Sequence, residues 1–267
     1  MTLDRYVAGK GTPLSGRRFT NIPNVILLGT VGSTNDFAKE LIEYLVKEGE
    51  GIVPTAVAAE RQTDGRGRLG RSWTTPPGAS LALSLVVPWP EGPERVRLPI
   101  AIGIGLAHGL RDRLGVDVRL KWPNDLYVGR QKLGGILVEA RALDDEEGFA
   151  IVGVGLNLTA SRAELDAAGL PEATSLLLAG VSAEALQGEA PLITALEVLD
   201  EALGDPSDAI PEDFATVALH NVGDPITVTR DDGTVTGSYL GVTEDGMLRL
   251  DTGTGEETVV SGDVTLF

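Results

Sequence analysis

Gly65-Arg66-Gly67-Arg68-Leu69-Gly70-Arg71-Ser72-Trp73 sets three arginines among three glycines in a chain of formal net charge -17. Between Glu60 and Trp73, four arginines (61, 66, 68 and 71) against Glu60 and Asp64 leave a local charge of +2. Glycine lets backbone N–H groups approach a ligand closely, and a guanidinium is a forked donor shaped for carboxylate and phosphate. Cations gathered on a loop against the sign of the whole molecule point to an anionic small molecule. The plain alternative is a solvated, arginine-rich surface loop. The same letters spell G-x-G-x-x-G, but that dinucleotide fingerprint needs a helix directly after the glycines. Thr74-Thr75-Pro76-Pro77 opposes such a helix start, and the residues beyond it read as a buried strand, so the Rossmann reading is set aside.

Three further segments carry candidate chemistry. In Lys121-Trp122-Pro123-Asn124-Asp125 a lysine and a carboxylate bracket a stiff turn, where they could orient phosphates and a magnesium ion; a hairpin whose Asp125 caps its own backbone is the bland reading. Lys132-Leu133-Gly134-Gly135 opens a strand with glycines that admit a ligand or another chain segment, or mark a β-bulge beside an exposed lysine. Gly153-Val154-Gly155-Leu156-Asn157 alternates glycines on one strand face before an asparagine, which suits the edge of an adenine ring or a self-satisfied buried turn.

The elements that must hold these segments follow from periodicity. Asn24 to Leu28 reads as a strand. Ser33, Thr34 and Asn35 offer N-cap oxygens to a helix bearing Phe37, Leu41, Leu45 and Val46, closed by Gly49 and Gly51. Residues 55–61 and 80–87 are strands on either side of the arginine loop, and Ile100 to Leu114 is a helix closed by Gly115. Strands at 118–121, 126–128, 135–142 and 149–158, with turns at 129–131 and 144–148, predict a largely antiparallel meander. Helical pieces are expected at 163–168, 192–203 and 214–219. From His220 onward, short alternating strands around Asp232-Gly233, Asp245-Gly246 and Gly253 predict a small β-barrel. The expected fold class is α+β, a mixed, largely antiparallel sheet flanked by helices with the small barrel at the C-terminal end. The expected division is a lead over residues 1–20, a main domain over 21–218 and the barrel over 219–267.

Composition narrows the function. A chain of 267 residues with 42% hydrophobic and 23% charged residues suits a soluble globular protein, and no apolar run reaches the roughly 20 residues of a membrane helix. Cysteine is absent, which excludes disulfides, thiolate nucleophiles and cysteine-held zinc. The first 20 residues lack a secretory pattern, so a cytoplasmic location is expected. The acidic balance disfavours unspecific attraction to nucleic acid or acidic membranes, and the terminal segment carries nine acidic residues against two basic ones. His108 and His220 fall outside every motif.

Taken in order, Ser33-Thr34-Asn35, the Gln62 to Trp73 loop, Lys121 to Asp125, Lys132 to Glu139 and Gly153 to Asn157 resemble the biotin protein ligase family. That family carries S-T-N, Q-x-x-G-R-G-R-x-G-R-x-W, K-W-P-N-D, K-hydrophobic-G/A-G-I-L-x-E and G-x-G-x-N. The resemblance covers about residues 22 to 160 strongly. It extends more loosely through Ala173-Thr174-Ser175-Leu176 to the terminal barrel. It implies a class II synthetase-like catalytic domain with an SH3-like C-terminal barrel. The implied reaction joins biotin to AMP from ATP and passes the biotinyl group to a lysine of a biotin carboxyl carrier protein domain. ATP and biotin are the implied substrates and Mg2+ the implied metal, in a monomer or homodimer with no membrane partner. By position, Ser33, Thr34, Asn35 and Gln62 surround the biotin rings, and Gly65, Arg66, Gly67 and Arg68 close over biotin and adenylate together with Arg71 and Trp73. Lys132 contacts the biotin carboxyl and later the acyl phosphate. Gly135, Gly153 and Gly155 are close-approach positions, Asn157 meets adenine, and Asp125 is the candidate metal ligand or amine-orienting carboxylate. Arg68, Lys121, Asp125 and Lys132 form the implied catalytic set.

Biotin carboxylate and triphosphate repel each other, so their union demands preorganised cations rather than an enzyme nucleophile. Without anions, mutual repulsion of the arginines should leave the loop mobile. Some relatives are also repressors with an N-terminal DNA-binding domain; about twenty residues before the first strand are too few for one, so no DNA partner is expected. The competing enzyme reading is a lipoate–protein ligase, and the competing non-enzyme reading is a biotin-binding sensor.

Overall fold

The computed structural model describes residues 17–88, 94–142, 148–204 and 209–265. Most of the expected lead and of the turn at 144–148 lie outside these. Strand β1 (Asn24–Val31) runs into helix α1 (Thr34–Glu48) and returns as β2 (Thr55–Gln62), parallel to β1. Gly49 closes α1 in the left-handed conformation, as its position after the last apolar turn requires. The glycine–arginine loop then leads to β3 (Ser80–Pro88), with only a single 3-10 turn at Arg68–Gly70 within it.

Helix α2 (Glu94–Leu114) begins six residues before the expected Ile100, because Pro99 interrupts one backbone bond without ending the helix. Strands β4 (Val118–Lys121), β5 (Asp125–Val128), β6 (Gln131–Ala142) and β7 (Gly148–Asn157) form the antiparallel meander. β7 also pairs with β3, which closes a seven-stranded mixed sheet in the order β1-β2-β3-β7-β6-β5-β4. This order puts the two glycine-bearing strands at the centre of the sheet, between the arginine loop and the Lys121–Asp125 turn. The pairing of β5 with β6 shifts register after Leu126, and Leu133 is fully buried at the irregularity.

Helices α3 (Arg162–Ala167), α4 (Ala190–Gly204) and α5 (Ile210–Val217) follow. α5 starts four residues before the expected Phe214 and ends before Leu219; Pro211 is tolerated in its first turn. The C-terminal end is an antiparallel five-stranded sheet of β8 (Pro225–Arg230), β9 (Gly233–Val242), β10 (Leu248–Asp251), β11 (Glu256–Val259) and β12 (Asp263–Val264), ordered β11-β10-β9-β8-β12. Ile226, Val228, Tyr239, Leu248 and Leu250 of this sheet share one continuous core with Leu106, Leu120 and Phe214. The two sheets are therefore joined by packing as well as by the chain. Trp122, 3% exposed, donates from Nε1 to the Gly246 carbonyl at 2.9 Å and pins the β4–β5 turn to the terminal sheet.

Candidate active site

One pocket gathers Ser33, Thr34, Asn35, Gln62, Arg66, Gly67, Arg68, Arg71, Trp73, Asp125, Lys132, Gly135, Gly153 and Gly155. Its space, counted out to the open mouth, is about 770 Å³. That falls within the range of cofactor and drug-sized ligand sites. Leu83, Ile136 and Val154 supply an apolar wall.

The first end of the pocket is polar and buried. Ser33 occupies the N-cap position of α1 but makes no capping bond; Thr34 and Asn35 turn inward instead. Residue types that favour a cap are spent here on a network. Gln62 Oε1 accepts from the Thr34 backbone N–H at 2.7 Å and faces Thr34 Oγ1 at 3.0 Å. Ser84 Oγ, fully buried on β3, lies 2.7 Å from Thr34 Oγ1 and 2.5 Å from Asn35 Oδ1. Two hydroxyl protons serve these three oxygen–oxygen contacts, so one contact sets lone pairs against each other with no proton between them. A ligand bearing N–H groups would supply the missing proton.

The second end is ionic. Lys132 Nζ pairs with Asp125 Oδ1 at 2.8 Å and lies 5.7 Å from the Trp73 ring centroid. Arg66 Nη2 pairs with Asp36 at 2.7 Å and with Glu139 at 2.8 Å, and Arg71 pairs with Asp263 of β12. The expectation of mutually repelling arginines is thus corrected: carboxylates from α1, β6 and the terminal sheet balance them. Arg68 differs, since no carboxylate among the described residues pairs with it. It donates to Asn124 Oδ1 at 3.0 Å and to the Gly262 carbonyl at 3.3 Å. Among the described residues it is the one arginine of the loop without a carboxylate partner.

The glycines do work the sequence left unspecified. A Cβ on Gly153 would stand 2.5 Å from Asn35 Oδ1, and one on Gly155 would meet the Trp73 ring at 2.6–3.0 Å. Both strand positions are bare so that side chains of this chain, rather than a ligand directly, can lie against the sheet. Gly65 instead lets the loop backbone close on itself, since its Cβ would stand 2.5 Å from the Trp73 carbonyl. At Gly135 a Cβ would make ordinary contacts with Asp125 and Lys132.

Three predicted residues sit off the pocket's lining: Gly65, Lys121 and Asn157. Lys121 stands opposite Asp125 in the strand register of the β4–β5 hairpin, and its Nζ lies 5.8 Å from the Tyr127 ring centroid. Burial lowers its pKa below the usual lysine value, the Lys132 and Arg71 charges add to the fall, and Asp125 and Asp263 oppose it. Asn157 is 2% exposed and donates to the Thr174 carbonyl at 2.9 Å; its Oδ1 is buried with no partner among the described residues. That lone acceptor suits an amino group.

Ser84, Asp36, Glu139, Asn124 and Asp263 belong to the site and were assigned no role from sequence. Ser84 gave a signal, a polar residue within the apolar run Leu81-Ala82-Leu83-Ser84-Leu85-Val86-Val87. Among the described residues no group of three acidic or histidine side chains is placed to hold a metal, and Asp125 already pairs with Lys132.

Residues 30–157 match the model described as "Biotin/lipoate A/B protein ligase family", and residues 222–266 match "Biotin protein ligase C terminal domain". The chain is 32% identical over 247 residues to the biotin--[acetyl-CoA-carboxylase] ligase of Mycobacterium tuberculosis, covering 89% of this chain and 87% of that protein. It is 41% identical over 145 residues to the bifunctional ligase/repressor BirA of Salmonella typhimurium, which is 54% of this chain and 43% of that protein. The chain therefore spans less than half the length of that relative. The solved biotin protein ligase from Aquifex aeolicus in complex with biotin and ATP superposes with a TM-score of 0.69 at 27% identity, covering 91% of this chain and 97% of that one.

Proposed function

The chain belongs to the biotin protein ligase family, and from that premise we propose that it activates biotin with ATP and passes the biotinyl group to a lysine of a carboxyl carrier domain. The supporting observation is the convergence, in one pocket, of hydrogen-bonding groups at Thr34, Asn35 and Gln62, backed by the buried Ser84, with cations at Arg68 and Lys132. A ureido ring brings two N–H groups to the acceptor-rich end, and its carboxylate then extends toward Lys132. In the first step a biotin carboxylate oxygen attacks the α-phosphorus of ATP and pyrophosphate leaves. In the second, the carrier amine attacks the acyl carbon, AMP leaves, and the amine gives up a proton. Neither step needs a nucleophile from the protein; both need negative charge held in place.

Arg68 and Lys132 take the carboxylate and α-phosphate in this reading, while Arg66, Arg71 and Lys121 draw the rest of the triphosphate. Gly65 and Gly67 give the loop its path over the product, and Trp73 covers it. Asn157 Oδ1 accepts from the adenine amino group. Asp125 orients Lys132 and later the incoming amine. Mg2+ would enter with the nucleotide substrate, because among the described residues no group of three acidic or histidine side chains is placed to hold a resident ion. We assign residues 21–218 to catalysis and 219–267 to the terminal sheet, with the cytoplasm as the place of work.

Calorimetry with biotin, lipoate and ATP, followed by mass spectrometry of protein incubated with biotin and MgATP, tests this proposal. Tight binding of biotin over lipoate and a retained biotinyl-AMP are expected. Preference for lipoate would favour the lipoate ligase reading, and biotin binding without adenylate formation would leave only a sensor.

A further inference from the structure

Glu139 lies where the two ends of the pocket meet. Its Oε2 accepts from Asn35 Nδ2 at 2.7 Å and from Arg66 Nη2 at 2.8 Å. A carboxylate can only accept, so it draws the NH2 face of the Asn35 amide toward itself. The other face follows by necessity: Asn35 Oδ1 turns toward Ser84 Oγ at 2.5 Å and toward Gly153. An amide otherwise has two orientations of nearly equal shape and opposite hydrogen-bonding sense. Ser84 cannot choose between them, because a hydroxyl donates or accepts. Glu139 can.

Building on the proposed biotin-binding reading, we propose that Glu139 is a positioning residue for ring recognition, acting through the orientation of the Asn35 amide. With Oδ1 inward, the oxygen–oxygen contacts among Asn35, Ser84, Thr34 and Gln62 are one proton short, and the cluster takes a ligand rich in N–H donors. With Nδ2 inward, the shortage disappears and the N–H groups of a ureido ring meet a competing donor. The same Oε2 also ties Arg66 to this amide, so the ring end of the pocket and the arginine loop share one anchor. Arg66 keeps a second tether in Asp36, 2.7 Å away, so the amide is the group that depends on Glu139 more heavily.

The test compares the full chain with Glu139→Met and Glu139→Gln, each with and without Asn35→Ala. Glu139→Met should weaken biotin binding by about 10-fold or more, the size expected for loss of a hydrogen bond to a charged group. Glu139→Gln, which keeps an acceptor oxygen, should recover most of that loss. In the Asn35→Ala background the Glu139→Met effect should shrink to about 3-fold or less, since the residue it acts through is gone. Equal losses in both backgrounds would overturn the proposal, as would unchanged binding in Glu139→Met. A measurement without ligand stands beside these: 1H–15N NMR of the free protein should show an Asn35 side-chain amide proton shifted downfield by the carboxylate. That shift should vanish in Glu139→Met. An Asn35 amide unshifted in the wild type would overturn the proposal, whereas a shifted amide in a chain that fails to bind biotin would sink only the biotin reading.

Discussion

Replacing Gly153 by alanine adds one methyl group at the floor of the polar end. Gly153 has no positive φ, so the backbone accepts the change, and the whole effect comes from what the methyl meets. Its Cβ would stand 2.5 Å from Asn35 Oδ1 and 3.1 Å from Asn35 Cγ and Nδ2. Ordinary contact begins near 3.4 Å, so the amide must retreat by about 0.9 Å. The amide is held by contacts of 2.7 Å to Glu139 and 2.5 Å to Ser84, and such a retreat stretches at least one of them past hydrogen-bonding range. Loss of one such bond costs about 1–3 kcal/mol, which corresponds to roughly 5- to 150-fold in an equilibrium constant. Calorimetric titration with biotin should therefore show a dissociation constant raised by about 10- to 100-fold if the amide rotates away. Should the amide stay in place under strain, urea unfolding should lose a similar free energy. Wild-type affinity together with a wild-type unfolding midpoint would refute the reasoning, because the methyl would then have displaced nothing.

Other outcomes follow from the same geometry. Lys121 has its pKa lowered first by burial, so the folded state releases the proton more readily than the unfolded chain; stability should rise with pH between that lowered value and 10.5. Lys121→Met should remove the burial penalty, giving an equal or higher melting temperature at pH 7 with a higher KM for ATP. His220, buried against Tyr239 with ring centroids 6.0 Å apart, has its pKa lowered by burial and next by Lys121, with Asp224 opposing. The unfolded chain then binds a proton that the folded state resists, so stability should be complete above pH 6.5 and decline as pH falls below it; a pH series of melting curves should flatten in His220→Gln. Asp263→Asn removes the carboxylate that holds Arg71 from the terminal sheet, and biotinyl-AMP should leave the variant several-fold faster with little change in unfolding midpoint, because the Asp263 side chain is 30% exposed and its ion pair contributes little to stability.

Local pattern carried much of this fold into view. The run from Ser80 to Pro88 could only be a buried strand, and Gly49 and Gly115 marked two helix ends at left-handed positions. The starts of α2 and α5 were less legible: periodicity placed them at Ile100 and Phe214, but both helices begin earlier and hold Pro99 and Pro211 near their N-termini. Ser33, Thr34 and Asn35 read as cap residues because caps and ligand sites draw on the same short polar side chains. The pocket's cationic half was legible as composition, since arginines on a glycine-rich loop have few other uses. Its partners were not. Arg66 meets Glu139, Asn35 meets Glu139, and Arg71 meets Asp263 across 73, 104 and 192 residues of chain. No local period encodes such pairings; they arise only when the sheet order brings β6, α1 and β12 to one rim. Gly153 and Gly155 illustrate the same limit. Their smallness was evident, but whether a ligand or a neighbouring side chain filled the space depended on where Asn35 and Trp73 came to rest.

Biotin-dependent exchange of pyrophosphate into ATP reads directly whether this pocket joins two anions by holding them with Arg68 and Lys132. Wild-type protein should exchange only when biotin is present, and Lys132→Ala should lower the rate by about 100-fold or more, as expected for losing a preorganised charge-stabilising group. Exchange that ignores biotin, or that survives intact in Lys132→Ala, would contradict the mechanism.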